Sequence, residues 1–541
     1  MTMDLALREL IRISNVTGKD TSLVQGGGGN TSAKTADGRF MYIKASGTAL
    51  KDMGPLKGWR RMELKGVLAM LGDAELGRME TFARENEIVR RLMLACKDEM
   101  PAGIRPSVEA HFRAMLGRYV IHLHPLAVGA YVNAKGGRRQ IEKLFQREKY
   151  PPLWVPYTDP GYQLAQKMKR LIGAYQEEYG RKPALVFLEK HGLIVSAETA
   201  EAALRLVRKV IAICQSKIPA AKAVKVKPAG PAEIQAAQLS LRKAIFSITG
   251  QYLPVSYCFN EVAVRFMARP DAARLLAAGP LSPDEMVYAN GPALWLERAE
   301  AKAIQAKIQK HLDTGQAIPR AYLMKNIGLL LACNPATTAT IESIAAGSMR
   351  VRGAAERLGG VWALSKRQRD FIRTWESESY REKLSRTTDQ GSLQGRIAVV
   401  TGAGSGLGRG IAIGLARAGA MVAACDLDRP AAEETVSLIR QEMPGAAAAA
   451  VPCNVTDETS VDRAYQTLLQ SWGGLDILVN AAGVAPAYSL VDLPAAKFRF
   501  ALEVNLTGYF LMARAAARIL MQQGMGGSII NLSSKSGLDA S

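Results

Sequence analysis

The stretch RIAVVTGAGSGLGRGIAIGLARAGAMVAACD, residues 396–426, decides the fold of the carboxy-terminal part of the chain. An apolar strand over 396–401 leads into a glycine-rich turn, a helix over 407–418 and a second apolar strand over 421–425. This pattern is typical of a βαβ unit with parallel strands. The turn from Thr401 to Gly408 reads T-G-x-x-x-G-x-G, and such glycines let a dinucleotide pyrophosphate approach a helix amino terminus.

Asp426 ends the second strand of this unit. A carboxylate at that place accepts hydrogen bonds from both ribose hydroxyls and repels a 2′-phosphate, so the sequence predicts NAD as the cofactor rather than NADP. Further elements follow: NAAG at 480–483 after an apolar strand, VNLTG at 504–508, and the apolar strand SIINLSS at 528–534.

These features resemble the short-chain dehydrogenase family, whose N-N-A-G motif is present here with Ala481 in its second place. Asn454 stands where the family has an adenine-contacting aspartate. The resemblance implies a Rossmann domain over 392–541, with Asn505 and Ser534 as two members of the Asn-Ser-Tyr-Lys catalytic set. The dinucleotide-binding residues that it implies are Gly402, Ser405, Gly406, Leu407, Gly408, Asp426, Asn480, Ala481 and Gly483.

The Tyr-x-x-x-Lys motif of that family does not follow Ser534 in the 541 residues. Hydride transfer then lacks the tyrosine that donates the proton and the lysine that lowers the pKa of that tyrosine. We therefore expect an incomplete Rossmann domain without appreciable dehydrogenase activity. We also expect residues 528–534 to form an unpaired apolar edge strand.

Three of the five histidines stand in contexts typical of metal ligands. His122 and His124 form an H-x-H pair on a predicted strand, whose alternation places both imidazoles on one face. His191 precedes a glycine after another apolar strand. A single histidine on an apolar strand is more often a hydrogen-bonded core residue, but three neutral imidazoles indicate a catalytic site for Zn²⁺ or another divalent metal. Glu109, at the end of PSVE, is a candidate base beside that metal.

Two segments near the amino terminus offer groups that bind anions. The loop GGGGNTS at 26–32 is expected to present several backbone N–H groups, because glycine permits the positive φ angles that such a nest requires. A flexible turn is the alternative. The turn SGT at 46–48 offers hydroxyl and amide donors, and Ser107 lies two residues before Glu109.

The G-G-N-T loop, S-G-T turn, P-S-x-E segment, H-x-H-P strand and H-G-L turn together resemble the class II aldolase family that cleaves ketose 1-phosphates such as fuculose and rhamnulose phosphates. The resemblance implies His122, His124 and His191 as metal ligands and Glu109 as the acid/base. It implies that the substrate phosphate is bound by Asn30, Ser46, Gly47, Thr48 and Ser107. Related aldolases usually separate the glutamate and the H-x-H pair by more residues, and Glu189 is another candidate base.

The chemistry agrees with this resemblance. Retro-aldol cleavage needs a Lewis acid that stabilises an enediolate and a base for the hydroxyl proton, and zinc beside a carboxylate supplies both. The domain order resembles the bifunctional aldolase/short-chain dehydrogenase family of rhamnose catabolism. That resemblance implies a truncated member that cleaves rhamnulose 1-phosphate to dihydroxyacetone phosphate and lactaldehyde. The alternatives are a sugar-phosphate 4-epimerase with the same metal triad, and a non-catalytic dinucleotide-binding or assembly protein with a vestigial metal site.

Composition predicts an α/β chain of several domains. They are an α+β aldolase-like domain over 1–216, a linker over 217–231, a middle α/β region over 232–378, a linker over 379–391 and the Rossmann domain over 392–541. Within the middle region, 322–329 resembles 187–193 without its histidine, and 286–294 resembles 41–50. A degenerate, metal-free duplicate of the first domain and chance similarity both explain this pattern.

The net charge of +21 divides into +22 on residues 1–390 and −1 on residues 391–541, and in the first stretch the basic residues are dispersed among predicted helices without a basic-aromatic stripe. We therefore expect small-molecule sugar phosphate and aldehyde substrates as partners, and no nucleic acid. No apolar run reaches membrane-spanning length, and the six cysteines lack C-x-x-C spacing. The sequence predicts a soluble cytoplasmic enzyme without membrane contact. A homo-oligomer is expected by resemblance alone, because sites of this aldolase type often draw on a neighbouring subunit.

Overall fold

A computed structural model describes residues 3–101, 103–218, 228–375 and 391–534. The described residues form two compact units. The first unit contains those up to 218 together with 268–293 and 343–375, and the second contains 228–267, 294–342 and 391–534. Along the described residues, the chain therefore passes from one unit to the other five times.

The strands are short and alternate with helices, as in a mixed α/β protein, so the fold class predicted from the sequence is confirmed. In chain order the strands of the described residues are β1 (Asn30–Lys34), β2 (Phe40–Lys44), β3 (Trp59–Glu63), β4 (Tyr119–Leu123), β5 (Leu153–Val155), β6 (Leu185–Leu188), β7 (Gly192–Ala197), β8 (Val255–Cys258), β9 (Leu294–Leu296), β10 (Ala321–Met324), β11 (Gly328–Ala332), β12 (Ile397–Thr401), β13 (Met421–Asp426), β14 (Ala448–Pro452), β15 (Ile477–Asn480) and β16 (Ser528–Asn531).

Local sequence explains many helix ends. Asp4 accepts a hydrogen bond from the amide of Ala6 at the start of the first helix, and Gly250 ends the tenth with a left-handed φ of 68°. The α-helices of the described residues are α1 (Leu5–Gly18), α2 (Leu64–Ala69), α3 (Ala74–Arg78), α4 (Thr81–Ala95), α5 (Ala110–Met115), α6 (Leu126–Val132), α7 (Gly137–Leu144), α8 (Tyr162–Tyr179), α9 (Ala200–Ser216), α10 (Pro231–Thr249), α11 (Glu261–Met267), α12 (Ala272–Ala277), α13 (Pro283–Ala289), α14 (Ala301–Leu312), α15 (Pro335–Arg357), α16 (Lys366–Thr374), α17 (Gly406–Arg417), α18 (Arg429–Glu442), α19 (Glu458–Trp472), α20 (Ala495–Leu502) and α21 (Gly508–Gln523).

The first unit is built on a seven-stranded sheet with the order β3-β2-β1-β4-β7-β6-β5. Its neighbouring strands are antiparallel except for the parallel pair of β5 and β6. Apolar side chains alternate between the two faces: Ile121 and Leu123 belong to one core, and Val120 belongs to another that includes residues of α5 and α8. His122 shares the face of Val120, because residues two apart on a strand point the same way.

The second unit contains a four-stranded sheet with the order β8-β11-β10-β9, which repeats the order of β4-β7-β6-β5. The strand directions also agree, since two antiparallel pairings are followed by one parallel pairing in both sets. We call strands β4 to β7 the histidine quartet and strands β8 to β11 the second quartet.

The correspondence extends to single hydrogen bonds at the turn in each quartet. The amide of His191 donates to the carbonyl of Leu188 at 3.1 Å, and the amide of Ile327 donates to the carbonyl of Met324 at the same distance. In both turns the preceding residue has a left-handed backbone; these residues are Lys190, with φ 56°, and Asn326, with φ 63°. Ile327 therefore occupies the place of His191.

Strand pairing aligns the other two histidines in the same way. His122 pairs with Ile194, two residues after Gly192, and Tyr257 pairs with Leu330, two residues after Gly328. Tyr257 and Phe259 thus occupy the places of His122 and His124. The second quartet repeats the backbone of the histidine quartet without its imidazoles.

The second unit also contains the parallel sheet β14-β13-β12-β15-β16. Residues of α17 and α18 pack on one face of this sheet, and residues of α19 and α21 pack on the other. This is the strand order of the dinucleotide-binding Rossmann fold, so the sequence prediction of this fold is confirmed. Ile529 and Ile530 of the edge strand β16 are 37% and 47% exposed.

A buried ion pair joins α10 to the Rossmann sheet within the second unit. Arg242 donates to the Asp476 carboxylate at 2.6 Å, and both side chains are fully buried. The same carboxylate oxygen accepts a hydrogen bond from the amide of Ile397, the first residue of β12, at 2.7 Å. The second quartet and the Rossmann sheet are therefore connected by a charge pair as well as by apolar packing.

The predicted middle region, 232–378, is divided between the two units instead of forming one region. Its two sequence similarities also differ in structure. The hairpin that contains 322–329 matches the one that contains 187–193, whereas 286–289 lie in helix α13 and 41–44 lie in strand β2. Of the predicted linkers, 219–227 and 379–390 lie outside the described residues.

Candidate functional site

Three imidazoles converge in the first unit. The Nε2 atom of His122 lies 3.2 Å from Nε2 of His191 and 3.1 Å from Nε2 of His124. The three ring nitrogens all lie within 4.8 Å of one another, as a shared metal ion requires. His122 is buried, and the other two histidines are partly buried. The structure thus brings together the three residues that the sequence predicted as ligands.

Three different backbone features place these imidazoles. His122 is in β4, and His124 follows that strand directly, before Pro125 begins the turn into α6. His191 lies in the β6–β7 turn, whose left-handed residue Lys190 donates its amide to the carbonyl of Val132 at 2.8 Å. A left-handed backbone is uncommon outside glycine, and such a position is retained where the surroundings hold it.

The side chain of Lys190 provides that support. It is buried, its ammonium donates to the side-chain carbonyl of Gln368 at 3.1 Å, and the charge lies 4.7 Å from the ring centre of Trp362. Both partners belong to the carboxy-terminal segment of the first unit. The turn that carries His191 is therefore held from outside the quartet.

The spacing of the imidazoles fits a tetrahedral metal ion. Zn–N bonds of about 2.0–2.1 Å place the ligands of a tetrahedral site about 3.3 Å apart, close to the separations of 3.1 and 3.2 Å found here. Burial lowers the pKa of His122 well below its ordinary value, so this imidazole is neutral and has a lone pair to offer. Its Nδ1 faces the carbonyl of Leu193 at 3.1 Å. Three imidazole ligands would leave a fourth position of such an ion open.

Glu109 lies beside that open position. Its Oε1 is 3.7 Å from Nε2 of His122 and 3.8 Å from Nε2 of His191. Burial raises the pKa of this carboxyl group, but the fully buried Arg113 guanidinium beside it opposes that effect, and the net pKa lies well below the ordinary value. The carboxylate form is therefore favoured.

Arg113, one helical turn after Glu109 in α5, orients this carboxylate. Its guanidinium is fully buried and donates to Oε2 of Glu109, which leaves Oε1 towards the imidazoles. A second guanidinium nitrogen donates to the carbonyl of Asn30 at 3.4 Å. Sequence analysis missed Arg113, although its i,i+4 spacing from Glu109 is a usable signal.

The residues predicted to bind phosphate lie on connected backbone segments. Asn30 is paired directly with His122 across β1 and β4, so their side chains share a face. The amide of Ser46 donates to the carbonyl of Arg105 at 2.8 Å, and the Ser107 hydroxyl accepts a hydrogen bond from the amide of Glu109. The predicted anion groups therefore adjoin the glutamate and the metal ligands.

The S-G-T turn is also tied to the glycine loop. Gly47 has φ 83°, which favours glycine, and the carbonyl of Thr48 accepts a hydrogen bond from the buried ammonium of Lys44 at 2.6 Å. The same ammonium donates to the carbonyl of Gly27 at 3.4 Å. Lys44 links these two segments and carries no sequence signal that would have shown this role.

The glycines of this loop make room for α13. A Cβ atom at Gly28 would lie 2.7 Å from Oδ2 of Asp284 and 3.1 Å from Nδ1 of His124. A Cβ atom at Gly27 would lie 2.5 Å from the hydroxyl of Tyr288. Close packing against α13 requires glycine at these positions.

The predicted dinucleotide turn has the close contacts that its glycines permit. Gly402 has φ 63°, and a Cβ atom on it would lie 2.8 Å from the Cα of Ala482. A Cβ atom on Gly408 would lie 2.1 Å from the carbonyl oxygen of Gly402. Ser405 is the residue before helix α17, which begins at Gly406 with φ 51°, and the following Leu407 is 74% exposed. The turn therefore opens a helix amino terminus to solvent.

The side chain of Asp426, at the end of β13, hydrogen-bonds to the backbone of the glycine-rich turn. Its Oδ2 accepts a hydrogen bond from the amide of Gly404 at 2.8 Å, and its Oδ1 accepts one from the amide of Asp428 at 2.9 Å. The carboxylate is partly exposed at the carboxyl end of the strand, where the ribose of a dinucleotide binds in this fold.

The NAAG segment is held chiefly through its backbone. The hydroxyl of Thr401 accepts hydrogen bonds from the amides of Ala481 and Ala482 at 2.9 and 3.1 Å. These contacts do not use the side chain at 481, where the family has a second asparagine. Asn480 is buried and donates to the side chain of Asn531 at 2.8 Å.

The two predicted catalytic residues of this domain lie on different elements. Asn505 lies in a π-helical turn, Glu503–Thr507, and its side chain exchanges two hydrogen bonds of 2.9 Å with the backbone of Val484, next to Gly483. Such π-helical turns recur at functional sites. Ser534 is exposed and follows β16. The structure connects Asn505 with the NAAG segment.

Comparison with known proteins identifies two families. Residues 8–218 match the family described as Class II Aldolase and Adducin N-terminal domain, and residues 396–541 match the short chain dehydrogenase family. Both resemblances drawn from the sequence motifs are confirmed.

Two relatives and one solved structure illustrate the similarity. The protein described as "Uncharacterized oxidoreductase YuxG" of Bacillus subtilis is 24% identical over 579 residues, which cover 99% of this chain and 81% of that protein. The sorbitol dehydrogenase of Cereibacter sphaeroides is 37% identical over 145 residues, 27% of this chain and 55% of that enzyme. A crystal structure of a short-chain type dehydrogenase/reductase from Mycobacterium marinum is 35% identical, with a TM-score of 0.27, over 28% of this chain and 60% of that one. The chain thus spans little more than half the length of this dehydrogenase relative from Cereibacter.

Each helix in the described part of the chain is too short or insufficiently apolar to cross a bilayer.

Proposed function

We propose that this chain, which joins a class II aldolase domain to a short-chain dehydrogenase domain, is a zinc-dependent aldolase that cleaves a deoxyketose 1-phosphate of the rhamnulose 1-phosphate type. The products would be dihydroxyacetone phosphate and lactaldehyde. The observation that carries the proposal is the set of three converging imidazoles with the Glu109 carboxylate 3.7–3.8 Å from two of them.

The donor set fits a divalent ion. His122, His124 and His191 would hold it through their Nε2 atoms, at separations that match a tetrahedral site. The bound ion would supply a Lewis acid for the oxygens of the ketose. An open position and a neighbouring carboxylate distinguish this arrangement from a closed structural site.

Glu109 is the proposed general base. Its carboxylate form is favoured by Arg113, and its Oε1 is free of that guanidinium contact and directed to the imidazoles. Oε1 would accept the proton of the hydroxyl group next to the bond that breaks. The oxygen electrons then form the aldehyde carbonyl, and the electrons of the carbon–carbon bond pass to the ketone half of the substrate.

The phosphate of the substrate would bind on the side of the metal site formed by β1 and the S-G-T turn. We propose Asn30, Ser46, Gly47, Thr48 and Ser107 for this role. Support comes from the direct pairing of Asn30 with His122 and from the hydrogen bond between the Ser107 hydroxyl and the amide of Glu109. A phosphate held there would fix the sugar relative to the base, and positioning of this kind contributes to catalysis.

The Rossmann domain is proposed to bind NAD. Gly402 and Gly408 allow the backbone to approach the pyrophosphate, and Asp426 disfavours a 2′-phosphate. Equilibrium titration of the protein with NAD and NADP, followed by protein fluorescence, tests this preference. Equal binding of both, or tighter binding of NADP, would contradict it.

The aldolase proposal is tested by incubating purified protein with rhamnulose 1-phosphate, with and without a chelator, and by measuring dihydroxyacetone phosphate. Release that stops after chelation and returns with Zn²⁺ supports the proposal. Conversion of the substrate to an epimer without release of dihydroxyacetone phosphate, or release that chelation leaves unchanged, would overturn it.

A further inference from the structure

His124 contacts the carboxylate of Asp284, which is neither one of the proposed metal ligands nor the proposed base. Nδ1 of His124 lies 2.5 Å from Oδ2 of Asp284, on helix α13. Asp284 is buried, with 8% of its surface exposed. An imidazole that donates its Nδ1 hydrogen to a carboxylate directs the lone pair of Nε2 to the opposite side of the ring. Here that side faces Nε2 of His122, 3.1 Å away.

We propose that Asp284 is a positioning residue of the metal centre, which fixes the orientation and tautomer of His124 and strengthens its bond to the ion. The inference rests on the proposed metal site. It adds a residue from outside the 8–218 region that matches the class II aldolase family. Asp284 comes from the chain segment between β8 and β9 of the second quartet, which belongs to the first unit.

Asp284 is not a metal ligand in this arrangement. Its carboxylate meets the Nδ1 side of the His124 ring, whereas the metal position is on the Nε2 side with the other imidazoles. A carboxylate in such an outer position makes the imidazole a stronger donor to the ion. His122 has a weaker partner in the same role, because its Nδ1 faces the backbone carbonyl of Leu193.

The start of α13 holds Asp284 in place. Ser282 accepts a hydrogen bond from the amide of Glu285, and Pro283 occupies the first helical position. Both carboxylate oxygens of Glu285 accept hydrogen bonds from the fully buried guanidinium of Arg352 on α15. Arg352 also donates to two backbone carbonyls before α13, so the helix is tied to α15 along its first turn. These contacts stabilise the start of the helix that carries Asp284.

The glycine loop packs against His124 and Asp284 from the other side. Gly28 leaves no room for a Cβ atom between itself, Asp284 and His124. A larger residue at position 28 would press on both the carboxylate and the imidazole ring.

The test measures Zn²⁺ affinity of the full chain after removal of metal, by competition with a chromophoric chelator. Asp284→Ala is expected to weaken Zn²⁺ binding about 10- to 100-fold, as loss of a carboxylate behind a ligating histidine does. Asp284→Asn keeps an acceptor oxygen without the charge and is expected to give a smaller loss. The d–d absorption spectrum of bound Co²⁺ should shift in both variants, because the geometry at His124 relaxes.

Glu285→Gln is the matched control. It weakens the pair with Arg352 one residue further along α13, and so reports what general loosening of the helix does to the metal site. Thermal unfolding of the metal-free proteins shows which variants are folded. If Asp284→Ala does not fold, the Zn²⁺ affinity of Asp284→Asn is compared with that of the parent instead. We expect Glu285→Gln to unfold at a lower temperature yet to bind Zn²⁺ within about threefold of the parent, well below the loss expected for Asp284→Ala.

Two results would overturn the proposal: Zn²⁺ affinity of the folded Asp284 variants equal to that of the parent, or an equal loss in Glu285→Gln. The second result would mean that Asp284 matters only through the stability of α13. A parent protein that fails to bind Zn²⁺ would instead refute the metal site of the proposed function, and with it this inference. The measurement does not depend on aldolase activity, so the two failures are distinguishable.

Discussion

The histidine quartet and the second quartet share strand order, strand directions and the geometry of one turn, but they differ in the side chains at three equivalent places. His122, His124 and His191 in one correspond to Tyr257, Phe259 and Ile327 in the other. Both sets of strands are dominated by buried apolar residues. The apolar pattern and the turn therefore maintain the backbone, and the imidazoles are additions that the fold does not require.

The two quartets also differ in the charged groups packed against them. Helix α13 brings Asp284 to His124 in the first unit, whereas helix α10 of the second unit directs Arg242 to Asp476 of the Rossmann domain. The buried charge next to the histidine quartet contacts a residue of the candidate metal centre, and the buried charge next to the second quartet pairs with a residue of the Rossmann domain.

Removal of one imidazole should abolish the chemistry of the histidine quartet. We expect His122→Ala to lose bound zinc and to show no chelator-sensitive cleavage of rhamnulose 1-phosphate, because two remaining imidazoles do not complete the three-ligand set of a catalytic site. Metal analysis of the purified protein and the cleavage assay measure these losses. Tyr257→Phe, at the equivalent place in the second quartet, should leave both quantities unchanged; zinc loss in that variant would break the comparison.

Glu109→Gln should separate metal binding from catalysis. The amide cannot accept the hydroxyl proton, so kcat is expected to fall about 100- to 10,000-fold, while the zinc content stays at the parent value. Steady-state kinetics and metal analysis on the same preparation measure both. Glu189→Gln provides the control, since Glu189 is the other candidate base, and a larger loss of kcat in that variant would reassign the role.

Arg242→Ala should destabilise the second unit, because it leaves the Asp476 carboxylate buried without its partner. The expected loss is about 3–5 kcal/mol of the free energy of unfolding, measured as a shift of the urea transition. Arg265→Ala removes an arginine from an exposed ion pair with Glu261 and is expected to cost less than about 1 kcal/mol. Similar losses in the two variants would contradict the connecting role of Arg242.

The smallest expected effect concerns the turn that the quartets share. Asn326 is exposed and has φ 63°, a conformation that asparagine and glycine tolerate better than residues with an ordinary side chain. Asn326→Ala should therefore lower the free energy of unfolding by about 1 kcal/mol, and Asn326→Gly should change it by less than about half of that. Urea unfolding measures both variants, and a stabilising Asn326→Ala would show that the turn is relaxed for any residue.

Much of the fold could be predicted because its signals are local. The strand-turn-helix pattern of 396–426 is continuous in sequence, and the glycine at 408 is needed for a close contact with Gly402 within that stretch. The H-x-H pair and the H-G turn identified the three imidazoles for the same reason, since each motif lies at the end of an apolar strand.

Long-range features carried no such signal. Nothing near Asp284 in sequence indicates that it contacts His124, and nothing near Arg242 indicates Asp476. The division of 232–378 between two units follows from contacts of this kind. For the similarity of 286–294 to 41–50, which chance could also explain, the sequence did carry a local signal: Ser282 and Pro283 are typical of a helix start and argue against a strand there.

The contact of His124 with Asp284 has a consequence for the order in which the protein is made. The two residues are 160 positions apart in sequence. At about 5–20 residues per second, synthesis of that interval takes roughly 8–30 s. In the later part of this time, after His191 has been added, the nascent chain contains all three histidines but lacks the carboxylate behind His124. We therefore expect zinc acquired before the completion of α13 to be held loosely and exchanged, and tight retention to begin only after α13, which follows β8 in the chain, has been made.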